Sequence, residues 1–224
     1  MNFKLAIILF TAAIAGLASC KNNDDVFDNS ALNGRFKVVN ASPNNINYFL
    51  NGTRQNNTGA LGPGGSSFYI PTKIGVQNFS FKLDGSPIVL FNWPETMRAD
   101  TIINYTLYVT GTTKDEAFET TEFLAPDTSG AKLGFVNAAT TAGNLDITVN
   151  GKLLFNAIPF KTQKDFIVIP AGDSDIKVYK AGTTTLLKDT TLSMSANNIF
   201  TLYSYGQPGA TGSSKFNVGL TQNL

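Results

Sequence analysis

Tyr105-Thr106-Leu107-Tyr108-Val109-Thr110-Gly111, residues 105–111, places Tyr105, Leu107 and Val109 in alternation with Thr106, Tyr108 and Thr110 and stops on a glycine. Successive strand side chains point to opposite faces, so a period of two predicts a β-strand here. The pattern returns as Phe200-Thr201-Leu202-Tyr203, followed by Gly206 as Tyr108 is followed by Gly111.

Working outward, the chain laid on itself with an offset of about 97 positions repeats in order and spacing. Arg35-Phe36-Lys37-Val38-Val39-Asn40-Ala41 matches Lys132-Leu133-Gly134-Phe135-Val136-Asn137-Ala138. Asn47-Tyr48-Phe49-Leu50-Asn51-Gly52 matches Asp146-Ile147-Thr148-Val149-Asn150-Gly151, and Phe68-Tyr69-Ile70-Pro71 matches Ile167-Val168-Ile169-Pro170. The Asn-Gly pairs supply the positive φ of tight hairpin turns. Pro71 and Pro170 close Ile-containing strands where a missing N–H does little harm. Beyond the N-terminal segment no stretch sustains a 3.6-residue period. About seven short strands per unit point to an all-β protein with two tandem β-sandwich domains of immunoglobulin-like or transthyretin-like type. The expected division is a first sandwich over 34–127 and a second over 130–224, with the boundary at Pro126-Asp127-Thr128-Ser129-Gly130. So short a linker makes the two domains touch. Phe49, on the opposite face of its strand from Tyr48 and Leu50, is a candidate for that contact. The Gly62-Pro63-Gly64-Gly65 stretch reads as a flexible loop.

Composition narrows the chemistry. The chain has 224 residues, 17 Lys and Arg against 16 Asp and Glu, no histidine and one cysteine. Setting aside Lys4 leaves the two signs equal, which gives no grip on a phosphate backbone, so nucleic acid is not an expected partner. The absence of histidine excludes imidazole catalysis and His-ligated zinc, and a lone cysteine excludes an internal disulfide. No cofactor and no metal is expected.

The N-terminus carries the address. Leu5 to Leu17 is an apolar run broken only by Thr11 and Gly16, shorter than the ~20 residues of a membrane-spanning helix. It ends in Leu17-Ala18-Ser19-Cys20, which resembles the lipobox of bacterial lipoproteins. That resemblance implies that residues 1–19 are a signal peptide and that Cys20 is acylated after cleavage. Two or three acyl chains hold a protein stably at a bilayer. Residues 20–33 read as a polar tether. Lys21-Asn22-Asn23-Asp24-Asp25 resembles the acidic export signal of Bacteroidetes-type surface lipoproteins, which implies a lipid-anchored, outer-membrane location in either leaflet.

Val39-Asn40-Ala41-Ser42-Pro43-Asn44, the strand ending in Asn51-Gly52 and Tyr105-Thr106-Leu107-Tyr108-Val109-Thr110-Gly111 together resemble the DUF4397 family, over roughly residues 34–206. The second copy lacks the Ser-Pro but keeps Ile169-Pro170-Ala171-Gly172 and Phe200-Thr201-Leu202. The resemblance implies exported β-sandwich proteins and leaves activity open.

No motif announces catalysis, and the chain reads as a non-enzyme. Glu119 and Glu122 are three apart and fall on opposite strand faces, while Asp173 and Asp175 share a turn. Phe91-Asn92-Trp93-Pro94-Glu95 holds the only tryptophan, and Trp93 and Phe91 are candidate ligand or interface residues. Asp100-Thr101-Ile102 and Asp189-Thr190-Thr191 resemble Bacteroidetes-type O-glycosylation acceptors, making Thr101 and Thr190 candidates. The expected function is a structural, adhesive or protein-interaction module of the cell envelope. A surface glycan-binding module is the alternative, and a glycoside hydrolase with an acid pair the weaker one.

Overall fold

A computed structural model describes residues 33–98, 103–125 and 129–223. The expected signal peptide, most of the tether, Cys20 and Thr101 lie outside the described residues. Among the described residues the regular structure is all strand, joined by turns and loops, apart from single 3-10 turns at Lys114–Glu116 and Gly212–Ser214. The first half runs β1 (Asn33–Asn40), β2 (Ile46–Leu50), β3 (Thr53–Arg54), β4 (Gly65–Ser66), β5 (Ile70–Lys73), β6 (Gly75–Leu83), β7 (Val89–Met97), β8 (Ile103–Val109) and β9 (Ala117–Phe123). The second runs β10 (Ala131–Asn137), β11 (Leu145–Val149), β12 (Lys152–Ile158), β13 (Thr162–Ile169), β14 (Gly172–Lys180), β15 (Leu186–Met194), β16 (Ile199–Tyr205) and β17 (Asn217–Gln222).

Each half is a two-sheet sandwich. In the first, β3-β2-β6-β7 forms the outer sheet, and β1, β8 and β9, with β4 and β5 both paired to β1, form the inner one. In the second, β12-β11-β14-β15 is outer and β13-β10-β16-β17 inner. The Asn-Gly pairs turn as read: Asn51 and Gly52 have φ of 48° and 84°, Asn150 and Gly151 of 51° and 78°. In both inner sheets the first strand pairs in parallel with the long strand that carries the Tyr-Thr-Leu-Tyr or Phe-Thr-Leu-Tyr pattern.

Strand partners give the structural correspondence of the halves. Phe36 faces Ile70 and Tyr105, and Leu133 faces Ile167 and Phe200. Ile70 therefore corresponds to Ile167 and Tyr69 to Phe166. The Ile-Pro pairs matched by letter are two positions out of register: Pro71 sits inside the edge strand β5, whereas Pro170 follows β13.

The residue shared by both openings, Asn40 or Asn137, closes its strand onto the next loop. Asn40 donates to the carbonyls of Asn44 and Leu61 at 2.7 Å each and accepts from the Ser42 N–H. Asn137 donates to the carbonyls of Gly143 and Ile158 at 2.9 Å each and accepts from the Ala139 N–H. A buried amide so fully used explains why the motif is punctuation rather than chemistry.

The two inner sheets pack on each other, so β1, β8, β10 and β16 are buried on both faces. Beyond one core in each sandwich, a third cluster joins Val39, Ala41, Tyr108 and Phe118 of the first half to Val136, Ala138 and Tyr203 of the second. Tyr108 stacks on Phe118 at 5.0 Å and meets Tyr203 edge-on at 6.2 Å. By strand correspondence, Val39 matches Val136, Ala41 matches Ala138 and Tyr108 matches Tyr203. Equivalent surfaces in mutual contact are the signature of an isologous interface, here within one chain.

Two sequence expectations are corrected. Phe49 does not make the contact between halves; it lies in the outer sheet of the first half, with Lys82 Nζ 4.9 Å from its ring. The glycine-rich loop is held: Gly64 donates to the Asn40 carbonyl at 2.7 Å and accepts from the Tyr203 hydroxyl at 2.8 Å. A Cβ on Gly64 would stand 2.2 Å from the Tyr205 ring, at a φ of +70°.

Tyr108 tests the shared layer. Tyr108→Ala removes a fully buried ring and is expected to lower unfolding free energy by roughly 3 to 5 kcal/mol, read from the urea midpoint. The Tyr108 hydroxyl is buried without a hydrogen bond of ordinary length. Tyr108→Phe is therefore expected to fold within about 1 kcal/mol of wild type.

Candidate functional site

Two places gather functional side chains. The first is the open edge of the first sandwich, where β7 of the outer sheet meets β9 of the inner one. Trp93 is half-buried, packs against the first core, and directs its indole N–H to Glu95 Oε2 at 3.3 Å. Lys114 Nζ stands 5.6 Å from the centre of its ring. The ring is thus partly covered and is not an open platform. Phe91, proposed beside it as a contact residue, is corrected to a core position: it is 7% exposed and stacks on Phe81 at 4.8 Å.

Glu119 lies near Glu95 and Trp93 across this edge, and its Oε2 is buried without a hydrogen-bond partner. Burial, with the neighbouring Glu95 carboxyl, pushes Glu119 up to about 8, so this carboxyl is mostly protonated near neutral pH. The carboxyls of a retaining glycosidase stand about 5 Å apart and those of an inverting one further still. The Glu119 carboxyl is instead buried beside Trp93, with its Oε2 unpartnered. Glu122, read alongside Glu119, does point to the opposite face. It lies in the layer between the halves, buried to 1% exposure.

That layer is the second place. Two grooves flank it, and strand correspondence relates them. One, of about 330 Å³, is lined by Glu122, Phe123, Lys132, Asp165, Phe166 and Ile199. The other, of about 450 Å³, is lined by Arg35, Phe68, Tyr69, Pro71, Gln222 and Asn223. Each lies between the edge strands of opposite inner sheets, and each has a basic residue at the matched position, Lys132 or Arg35. They differ in their apolar rim. Phe68 is 91% exposed at the second groove, unusual for a phenylalanine, and Phe123 is 63% exposed at the first. Sequence reading missed Phe68 because its neighbours Tyr69 and Ile70 make it look like a strand residue, whereas it occupies the loop before β5.

Thr190 is half-buried in the middle of β15, paired opposite Ile176, while Asp189 beside it lies 3.6 Å from Lys177. Among the described residues no group of His, Cys, Asp and Glu is arranged to hold a metal ion, and no helix is long and apolar enough to cross a membrane.

Comparison with known proteins gives one family match. A family model described as "Domain of unknown function (DUF4397)" matches residues 34–148 and again 131–217. No curated protein matches. A solved structure titled for alpha-glucan recognition by family 41 carbohydrate-binding modules from streptococcal virulence factors aligns with 79% of this chain and 94% of its own. Its identity is 8% and its TM-score 0.27, too low to carry an argument about fold or ligand.

The carboxyl pair predicts a pH dependence. Glu119 has a folded pKa above the ordinary carboxylate value, so the folded chain holds a proton that the unfolded chain releases. The resulting stability is present below about pH 4.5 and is lost as pH rises toward about 8. Glu119→Gln keeps the shape without the titration, so its urea midpoint should fall less steeply over that window. An unchanged slope would show that folding does not raise the Glu119 pKa.

Proposed function

The chain belongs to the DUF4397 family, and on that premise we propose that it is a lipid-anchored cell-envelope module that works by holding a protein partner rather than by catalysis. The observation that carries this reading is Phe68, an almost fully exposed aromatic at the mouth of a groove whose walls come from both halves. Aromatic residues and arginine are enriched at protein interfaces relative to the rest of the surface. The groove floor is fixed, since both halves are locked through their inner sheets, so a partner meets a preorganised surface and loses little entropy on the protein side.

The lack of histidine supports a non-catalytic role. The anchor rests on Cys20 and its lipobox, with the outer membrane as the location and either leaflet open. Cys20→Ala is expected to abolish labelling by palmitate and to move the protein from the membrane to the soluble fraction; labelling that persists would remove the anchor.

A photo-crosslinking residue at position 68, installed in intact cells, is expected to capture one defined partner, while the same residue at Thr184 captures none. Phe68→Ser should reduce recovery of that partner at least about tenfold, the loss expected for an aromatic anchor. No position-dependent capture would sink the reading. Glycan binding lost in Trp93→Ala would replace it with the surface glycan-binding alternative.

A further inference from the structure

Lys37 leaves β1 on the face turned toward the second half and is fully buried. Its Nζ stands 2.8 Å from Asn223 Oδ1, 3.1 Å from Thr221 Oγ1 and 2.9 Å from the Gln222 carbonyl, so it grips the end of β17. The Tyr69 ring centre is 4.1 Å away. The Tyr69 hydroxyl donates to Glu122 Oε2 at 2.6 Å and lies 3.1 Å from Thr106 Oγ1. Asn223 donates through Nδ2 to Thr201 Oγ1 at 2.8 Å. The Thr201 hydroxyl in turn lies beside the Glu122 carboxyl. Glu122 Oε1 is buried with no hydrogen bond of ordinary length. An amine, a carboxamide and a carboxyl from the two halves are thus gathered into one buried cluster.

The state of each group suits one reaction. A lysine is a nucleophile only as the neutral amine, and burial pulls Lys37 down to about 8, with the charge of Glu122 offsetting only part of that effect. Burial raises Glu122, favouring its protonated form, in which it can give and retake a proton. The carboxamide is held from both ends, by Lys37 at Oδ1 and Thr201 at Nδ2. An amine held at the carboxamide oxygen, one bond from the acyl carbon, replaces a bimolecular encounter.

We propose that Lys37 and Asn223 form an intramolecular isopeptide bond, made by the folded chain itself with Glu122 as proton carrier. The lone pair of Nζ adds to Asn223 Cγ and the carbonyl electrons move to Oδ1. The proton displaced from Nζ passes to Oδ1, which Nζ already touches, while protonated Glu122 gives its proton through the Thr201 hydroxyl to Nδ2. Cγ=O then reforms as Oδ1 returns its proton to Glu122, the Cγ–Nδ2 bond breaks, and Nδ2 leaves as ammonia. Amine and primary amide become a secondary amide and ammonia, with no oxidant or other reactant. The bond would tie the first strand to the chain beyond the last. It has no counterpart in the pseudo-equivalent position, where Gly134 replaces Lys37: a Cβ there would stand 2.9 Å from the Phe166 ring.

Tryptic mapping of the purified, folded full chain reads the outcome directly, because trypsin does not cut after an acylated lysine. The bonded protein is expected to yield a branched peptide joining residues 36–54 to residues 216–224, one ammonia lighter than its linear parts. Lys37→Arg and Asn223→Ala should abolish it. Glu122→Gln should slow its formation at least about tenfold, with circular dichroism confirming that each variant keeps its sheet content. Recovery of Phe36-Lys37, 38–54 and 216–224 only as separate linear peptides from folded wild-type protein would overturn the proposal and leave Lys37 as a buried ammonium clip. Loss of ammonia confined to the linear 216–224 peptide would overturn it equally.

Discussion

The four central strands, β1 and β8 in one half and β10 and β16 in the other, have no solvent face. An antiparallel sheet of an ordinary sandwich buries one side and wets the other, but here the inner sheets use their second side against each other. Parallel pairing at the centre of each inner sheet fits this burial. The cost of taking Thr106, Tyr108, Thr201 and Tyr203 out of water is offset by the hydroxyls, amide and rings packed around them. The loops obey the same constraint. Gly64 has no side chain because Tyr205 occupies that space, and Tyr203 reaches across to the backbone of Gly64.

An isologous contact inside one chain has a freedom that a dimer of identical subunits lacks. In a symmetric dimer every interface residue appears twice, and a lysine at position 37 would bring a second ammonium and a second carboxyl into the same buried layer. Burying two such pairs is costly. After duplication the equivalent positions are independent. The pair Lys37 and Gly134, the pair Tyr69 and Phe166, and the pair Glu122 and Asn223 show that independence. The charged members belong to the first half, while the small, apolar or neutral ones belong to the second. One amine, one carboxyl and one amide then complete a single cluster in place of two repelling ones.

Much of this was legible in sequence. Period-two alternation, Asn-Gly turns and the internal repeat lead to an all-β chain of two sandwich-like halves, because hairpin geometry and strand periodicity are local. What was not legible is non-local. Alternation at 105–111 gives two faces and cannot say that the face with Thr106 and Tyr108 is buried as well, since that depends on a sheet formed some hundred residues later. Phe49 drew attention as an outward aromatic for the same reason: exposure from one sheet was legible, whereas which sheet met the other half was not. Trp93 stood out by rarity, and rarity does not report that Lys114 and Glu119 cover and flank it. Lys37 and Asn223, far apart in the chain, carry no local signal at all.

The lipid-anchor reading gives the central layer a mechanical sense. Load on a chain tethered ahead of β1 enters at Asn33 and meets β1 first. An edge strand would peel away one hydrogen bond at a time. β1 instead lies inside its sheet, paired with β4 and β5 on one side and β8 on the other. Its face is clamped by the second half, and Lys37 fastens it to the residues that follow β17. Separating the halves therefore requires the buried amine to leave three oxygen ligands and an aromatic face at once, which makes the step cooperative rather than gradual. A rigid holder of a partner at the envelope needs that property, and it arises from one buried cluster and one shared apolar layer.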